Sequence, residues 1–301
     1  MDELRIKSVK ATMEHYRQIF EDYMNSTRED RKKDVHDKLF EAMEYSLAAG
    51  GKRLRPMLCL AAAERCGCAV EDALPLALGI EMFHTGTLIH DDLPCMDNDD
   101  MRRGKPSNHK MFGETIAVLA GDALMSYAVE YPLWNTKNTD PAKLLGAIKI
   151  FSTAIGPDGV CSGQVFDMDY DATCDIPGYV RKIAALKTGA LIKASIASGA
   201  ALGTEDKNTL SCYSEYGAHL GSAFQIVDDI LDVTSTPEEL GKTPGKDAEQ
   251  GKITHVTVYG LETARKMAKE ESDMAVQAIS SILPKDDFLC NLAEYLVYRS
   301  Y

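Results

Sequence analysis

The residues best equipped for chemistry in this chain are two runs of aspartate. The first is Asp91-Asp92-Leu93-Pro94-Cys95-Met96-Asp97, with Arg102-Arg103 soon after, and the second is Asp228-Asp229-Ile230-Leu231-Asp232, with Lys242 and Lys246 beyond it. Carboxylates this close repel one another unless a cation sits among them. A hard ion such as Mg²⁺ accepts carboxylate, water and phosphate oxygens and needs few protein ligands. With bases following each run, the inventory is that of a diphosphate held from one side by metal and from the other by Arg and Lys.

The elements that must present these groups are helices. Asp228 and Asp232 stand at i and i+4 within an apolar run that includes Leu220, Phe224, Ile226, Val227, Ile230 and Leu231, so they share a helix face. The first run closes a helix expected from about Leu74 to Asp92. There Pro94 offers no amide donor and disfavours helix at the residue before it, which places Asp97 on a bulge or loop. His84 lies two turns before Asp91 on the same face. Gly50-Gly51-Lys52-Arg53-Leu54-Arg55-Pro56 puts bases at a glycine-rich helix entrance, where free amides also favour an anion. Lys187-Thr188 interrupts an alanine-rich helix, and a lysine there needs water or an anion near it. Gln164 and Gln225 are amides in apolar surroundings that need partners when buried. The spacings of a Walker loop, a Ser-His-Asp site and an HExxH zinc site are absent.

Period-3.6 patterning recurs through the chain and strand alternation is nearly missing, so the expected fold is an all-α bundle with central helices apolar on several sides. Helices are expected over 2–24, 34–49, 54–66, 71–92, 114–132, 141–156, 160–168, 177–202, 207–232, 248–258, 260–282 and 286–299. No Gly/Ser/Pro-rich linker divides the 301 residues, which points to one domain over 1–301. A formal charge of -13 argues against a nucleic-acid surface. Eight cysteines without CxxC spacing read as reduced, packed thiols. No secretory signal and no spanning helix are expected, hence a cytoplasmic protein.

Taken together, these motifs resemble those of the short-chain all-trans polyprenyl diphosphate synthases: the geranyl, farnesyl and geranylgeranyl diphosphate synthases. The first run is similar to the longer form of that family's first aspartate-rich motif, and the second run to its second. Gly50 to Pro56, Gly104-Lys105-Pro106, Gly121-Asp122, Gly163-Gln164 with Asp167, Lys187-Thr188, Phe224-Gln225 and Gly241-Lys242 match in family order. The resemblance implies the class I isoprenoid synthase fold, a helical bundle around a deep central cavity, usually homodimeric. It implies condensation of isopentenyl diphosphate with allylic diphosphates, rather than a class I terpene cyclase or a noncatalytic partner subunit. Asp91, Asp97 and Asp228, with Asp92, Asp229 and Asp232 close by, would hold about three Mg²⁺ ions, for which Mn²⁺ can substitute. Arg102, Lys187, Thr188, Gln225, Lys242 and Lys252 match positions for the allylic diphosphate, and Lys52, Arg55, His84 and Arg103 those for isopentenyl diphosphate. Gln164 and Lys246 would be further active-site residues, Lys246 leaving open which loop lysine reaches phosphate.

Product length is expected to be set along the helix before Asp91, past Thr87, Gly86 and Phe83, and alternatively from a neighbouring helix near Met125. Farnesyl synthases with this kind of motif commonly carry an aromatic residue where this chain has Gly86. Its absence is expected to open the cavity and favour geranylgeranyl over farnesyl diphosphate.

Overall fold

The computed structural model describes residues 1–32, 34–169, 175–235 and 252–298, so Lys242 and Lys246 lie outside the described residues. The helices are α1 (Glu3–Ser26), α2 (Arg28–Lys32), α3 (Asp37–Leu47), α4 (Leu54–Arg65), α5 (Val70–Asp91), α6 (Asn108–Phe112), α7 (Glu114–Asn135), α8 (Pro141–Ile155), α9 (Ser162–Met168), α10 (Ile176–Ile183), α11 (Ala190–Gly203), α12 (Lys207–Thr234), α13 (His255–Tyr259), α14 (Leu261–Ile279) and α15 (Phe288–Tyr298). The all-α expectation holds. One hairpin escapes the periodicity: Met101–Arg102 pairs antiparallel with Lys105–Pro106. Strands of two residues carry no readable alternation. Their turn is made by Arg103 and Gly104, both at positive φ, the backbone pattern of a type I′ connection.

Helices α4, α5 and α11 supply much of the core, from Leu58, Leu60, Leu76, Leu78 and Ile80 to Ile192 and Ile196. Small residues decide how closely they approach. A Cβ built on Gly199 would lie 2.3 Å from the Cys59 carbonyl oxygen of α4, and one on Gly79 of α5 would lie 2.4 Å from the Ala128 oxygen of α7. Both are distances at which only a hydrogen can stand. Asp140 caps α8 as its sequence predicts, accepting from the Ala142 amide at 2.7 Å ahead of Pro141 at the first helical position.

Two expectations change in detail. The break expected at Pro132 falls later, because α7 carries Pro132 in its final turn and ends at Asn135. The run Pro141–Met168 does prove long and apolar enough to cross a membrane by length and composition, although no spanning segment was expected. It is not one straight rod. Gly159 leaves helical φ/ψ between α8 and α9, and α8 buries Leu144, Ala147, Ile148 and Phe151 in the core.

Because the α4–α11 contact at Gly199 leaves no room for a methyl group, Gly199→Ala is expected to destabilise the fold by about 1–3 kcal/mol. Denaturant unfolding of the purified variant checks this, and wild-type stability would contradict it.

Candidate active site

A cavity of about 660 Å³ opens between α5, α7, α9 and α11, lined by Arg55, Phe83, His84, Thr87, Asp91, Met125, Gln164, Lys187 and Thr188 among others. A smaller pocket of about 180 Å³ adjoins it, and Lys187 lines both. Its other polar residues are Asp167, Gln225, Asp228, Asp229, Lys252 and His255. Asp91, Asp228 and Asp229, with Arg55, Lys187 and Lys252, thus line two pockets that share Lys187.

At the mouth, Asp91 closes α5. The chain turns back so that the Asp97 amide donates to the Asp91 carbonyl at 2.9 Å, which puts Asp97 on a loop beside the helix end. Burial, with the Asp97 and Asp92 charges adding, pushes the Asp91 carboxyl up to about 6, against the pull of Lys187 and Arg102. Gln164 donates to Asp91 at 2.9 Å, and Lys252 donates to Asp97 at 3.2 Å. The Lys252 contact ties the segment after the second aspartate run to the loop of the first.

The aspartates divide by what already holds them. Asp92, buried, takes a forked contact from Arg102, with Nε donating at 2.9 Å. Asp229, buried, accepts from Gln225 at 2.8 Å and from both the backbone amide and Nδ1 of His255 at 2.8 Å. Asp92 and Asp229, expected among the metal-site carboxylates, thus spend their oxygens on protein donors, and Asp232 is buried on α12 one turn beyond Asp228. Asp91 and Asp97 of the first run and Asp228 of the second remain the carboxylates best suited to a hard cation. Among the described residues, no three His, Cys, Asp or Glu side chains form a preformed metal cage. Mg²⁺ takes one or two carboxylates and completes its shell with water and phosphate oxygens, so it needs no such cage.

Lys187 and Thr188 owe their placement to a π-helical stretch, Ala184–Gly189, between α10 and α11. Such bulges shift the side chains that follow relative to the straight helix. Gly163 makes the stretch's neighbour possible, since a Cβ there would lie 2.2 Å from the Lys187 amide nitrogen. Lys187 bonds Asp167 at 2.5 Å, and Thr188 donates to Gln225 at 2.5 Å, which continues the chain to Asp229.

At the other rim, Arg55 NH1 lies 3.3 Å from His84 Nε2. A guanidinium only donates, so Nε2 accepts and the proton sits on Nδ1. Burial, then the charges of Arg55 and Arg103, hold the His84 imidazole well below its ordinary value, so it is neutral near neutral pH. Lys52 is exposed at the same entrance. Arg103 stands on the hairpin turn over Gly51, where a Cβ would meet its guanidinium carbon at 3.0 Å.

The geometry at Gly86 differs from the expectation. Gly86 is absent from the cavity lining, and a Cβ there would meet the Gly121 oxygen and Met125 Cγ at 3.0 Å. It is a packing glycine between α5 and α7 and acts on the cavity only through Met125. Thr87 and Phe83 face the cavity directly, and Phe83 stands edge-on to Phe151 with ring centroids 6.2 Å apart. Two residues of the site were not singled out from sequence: His255 and Glu81. The signals were a Thr254–Thr257 capping pair beside Lys252, and a lone carboxylate one turn before His84 in an apolar helix.

A helical bundle with aspartate clusters, lysines and arginines around an apolar cavity defines a class I isoprenoid synthase. The comparisons agree. Residues 36–282 match the family model of the polyprenyl synthetases. A dimethylallyltranstransferase of Fischerella ambigua (strain UTEX 1903) is 45% identical over 266 residues, covering 88% of this chain and 77% of the relative. A chloroplastic geranylgeranyl pyrophosphate synthase of Capsicum annuum is also 45% identical, over 87% of this chain and 71% of its own length. The crystal structure of an FPP/GFPP synthase from Zymomonas mobilis superposes with a TM-score of 0.83 at 35% identity, covering 96% of this chain and 99% of that one. The chain belongs to the polyprenyl synthetase family and is a polyprenyl diphosphate synthase, joining isopentenyl diphosphate to an allylic diphosphate.

His255→Phe keeps an aromatic ring but removes the side-chain donor to Asp229. It is expected to raise the allylic KM and the half-saturating Mg²⁺ concentration by about tenfold, with titrations of substrate and metal as the check. Unchanged values would show that the backbone amide and Gln225 suffice.

Proposed function

We propose that this enzyme makes geranylgeranyl diphosphate ahead of farnesyl diphosphate, with several Mg²⁺ ions per active site, Mn²⁺ as a substitute, and as a homodimer. The observation that carries the length assignment is a cavity of about 660 Å³ lined by Asp91, Thr87 and Phe83, the first and last of them eight residues apart on one helix. Eight residues of helix span about 12 Å, or a little over two turns of about 5.4 Å, each close to the length of an isoprene unit. About two units fit in that stretch, so the three-unit acceptor that geranylgeranyl diphosphate requires passes its last unit beyond Phe83 into the rest of the cavity of about 660 Å³.

Asp91, Asp97 and Asp228 are the residues that would hold the metal. Bound there, Mg²⁺ would neutralise charge on the leaving diphosphate oxygens. Lys252, paired with Asp97, and Lys187, paired with Asp167 and acting on Asp91 by its charge, add positive charge where the allylic C–O bond breaks and its electron pair passes to diphosphate. Lys52, Arg55, His84 and Arg103 orient isopentenyl diphosphate so that its alkene meets the allylic carbon. The proton lost afterwards passes to the departing diphosphate. Phe83, Met125, Ile155, Val160 and Leu191 keep water from the cation. Support for the homodimer comes from α7, which exposes Val118, Leu119, Leu133 and Trp134, the last to 77%.

Asp91→Ala and Asp228→Ala are expected to lower turnover by about 10²-fold or more, and excess chelator to abolish it. Near-normal activity in either case contradicts the metal assignment. For length, Thr87→Tyr puts a ring into the cavity at little cost in helix propensity and is expected to shift the longest product to farnesyl diphosphate or shorter. Phe83→Ala is expected to lengthen the product, at about 3–5 kcal/mol of stability. Chromatography of dephosphorylated products reads both, and an unchanged spectrum from both folded variants would transfer control to another wall.

A further inference from the structure

We propose that Glu81 is a positioning residue for isopentenyl diphosphate, holding Arg53 and Arg103 so that Lys52, Arg55 and Arg103 form one anion-binding surface. The proposal rests on the assignment of those three bases made above.

Glu81 lies inside α5, its side chain only 2% exposed, and a carboxylate so placed must be paired. Arg53, equally buried, donates to Glu81 Oε1 from NH1 at 2.7 Å and to the Leu47 carbonyl from NH2 at 2.8 Å. The same Oε1 stands 3.9 Å from Arg103 NH2. Arg53 and Arg103 have φ of 48° and 52°, left-handed values that side chains rarely adopt and that surrounding contacts must hold. Both residues sit on otherwise separate pieces of chain, the glycine-rich entrance to α4 and the turn of the β-hairpin. One carboxylate on a third element, α5, is the point where the two meet. Gly51 completes the arrangement by leaving space for the Arg103 guanidinium above the entrance turn.

The charge pattern explains why such a carboxylate is needed. Burial and the neighbouring guanidinium groups disfavour the charges of Arg55 and Arg103, and the Glu81 carboxylate is the strongest influence opposing this at both. Arg55 Nε is buried with no hydrogen-bond partner. The cationic set must stand assembled before its anion arrives, and Glu81 offsets its mutual repulsion from behind. As an ionised acceptor it cannot itself bond a diphosphate oxygen, so it acts through the arginines. Arg53 is correspondingly a strut and not a ligand, since its buried guanidinium is held by Glu81, the Leu47 carbonyl and, at 3.7 Å, Glu21.

Steady-state kinetics of the full chain with Mg²⁺, varying each substrate in turn, test the proposal. Glu81→Gln keeps the shape and removes the charge. It is expected to raise the isopentenyl diphosphate KM by about tenfold while the allylic KM moves by less than about threefold. Combined with Arg103→Ala, which raises the same KM alone, the two effects should be less than additive, because they act through one contact. Should Glu81→Gln fail to fold by circular dichroism, Glu81→Asp keeps the charge on a shorter arm and should show the same selective rise at smaller size. Equal changes in both KM values, or an unchanged isopentenyl diphosphate KM in a folded Glu81 variant, overturn the proposal. If Arg103→Ala itself leaves that KM unchanged, the anion-site assignment fails. If Arg103→Ala raises it and neither Glu81 variant does, only the role of Glu81 fails.

Discussion

Like charges held at close quarters are the constraint on which this structure turns. Two unit charges about 4 Å apart repel by about 4 kcal/mol at an effective dielectric near 20, and the chain gathers six aspartates in two short runs. The fold meets this by giving the innermost members protein partners: Arg102 for Asp92, and Gln225 with His255 for Asp229. The outer members keep looser contacts, Asp91 with Gln164 and Asp97 with Lys252, that a metal-bound diphosphate can replace. Asp92 and Asp229 are thus braced by donors that include residues of other elements.

The same logic, with signs reversed, governs the opposite rim. Arg53, Arg55 and Arg103 are brought together around Glu81, and neutral His84 completes the rim by accepting from Arg55 without adding charge. An anion arriving at this rim would relieve the mutual repulsion of its cations, whereas at the aspartates only a cation can do so. Binding energy of this kind is available for orienting the reacting carbons, since the groups need little rearrangement when the anion enters.

Much of this was legible in the sequence, for identifiable reasons. The i, i+4 spacing of Asp228 and Asp232 fixed a helix face, Pro94 forced Asp97 off the helix, and Asp140-Pro141 marked a helix start where α8 begins. These are local rules acting over a few residues. What the sequence hid depends on contacts between distant segments. Gly86 looks like an opening when only its own helix is considered, but the backbone of α7 passes 3.0 Å from where its side chain would stand. The separate duties of Asp92 and Asp229 depend on Arg102 and His255 arriving from other elements. The π-helical stretch at Ala184–Gly189 has no marker in composition, and it is stabilised by the close pass of Gly163.

The placement of head and tail on one helix also explains how the cavity can measure a chain. Asp91 stands at the end of α5, and Thr87 and Phe83 follow at one-turn intervals toward its N-terminus. Their separations are set by a rise of about 1.5 Å per residue, and α5 is held rigid by burial of Ile80, Met82 and Phe83 and by close passage of Gly79 and Gly86 against α7. Neither end can drift without the other. On the proposed reading, a growing chain whose diphosphate is held at Asp91 would reach the same side chain at every turnover, and the number of units admitted would depend on which residue projects. In this arrangement the glycines that do not line the cavity matter as much as the residues that do, because they keep the ruler straight.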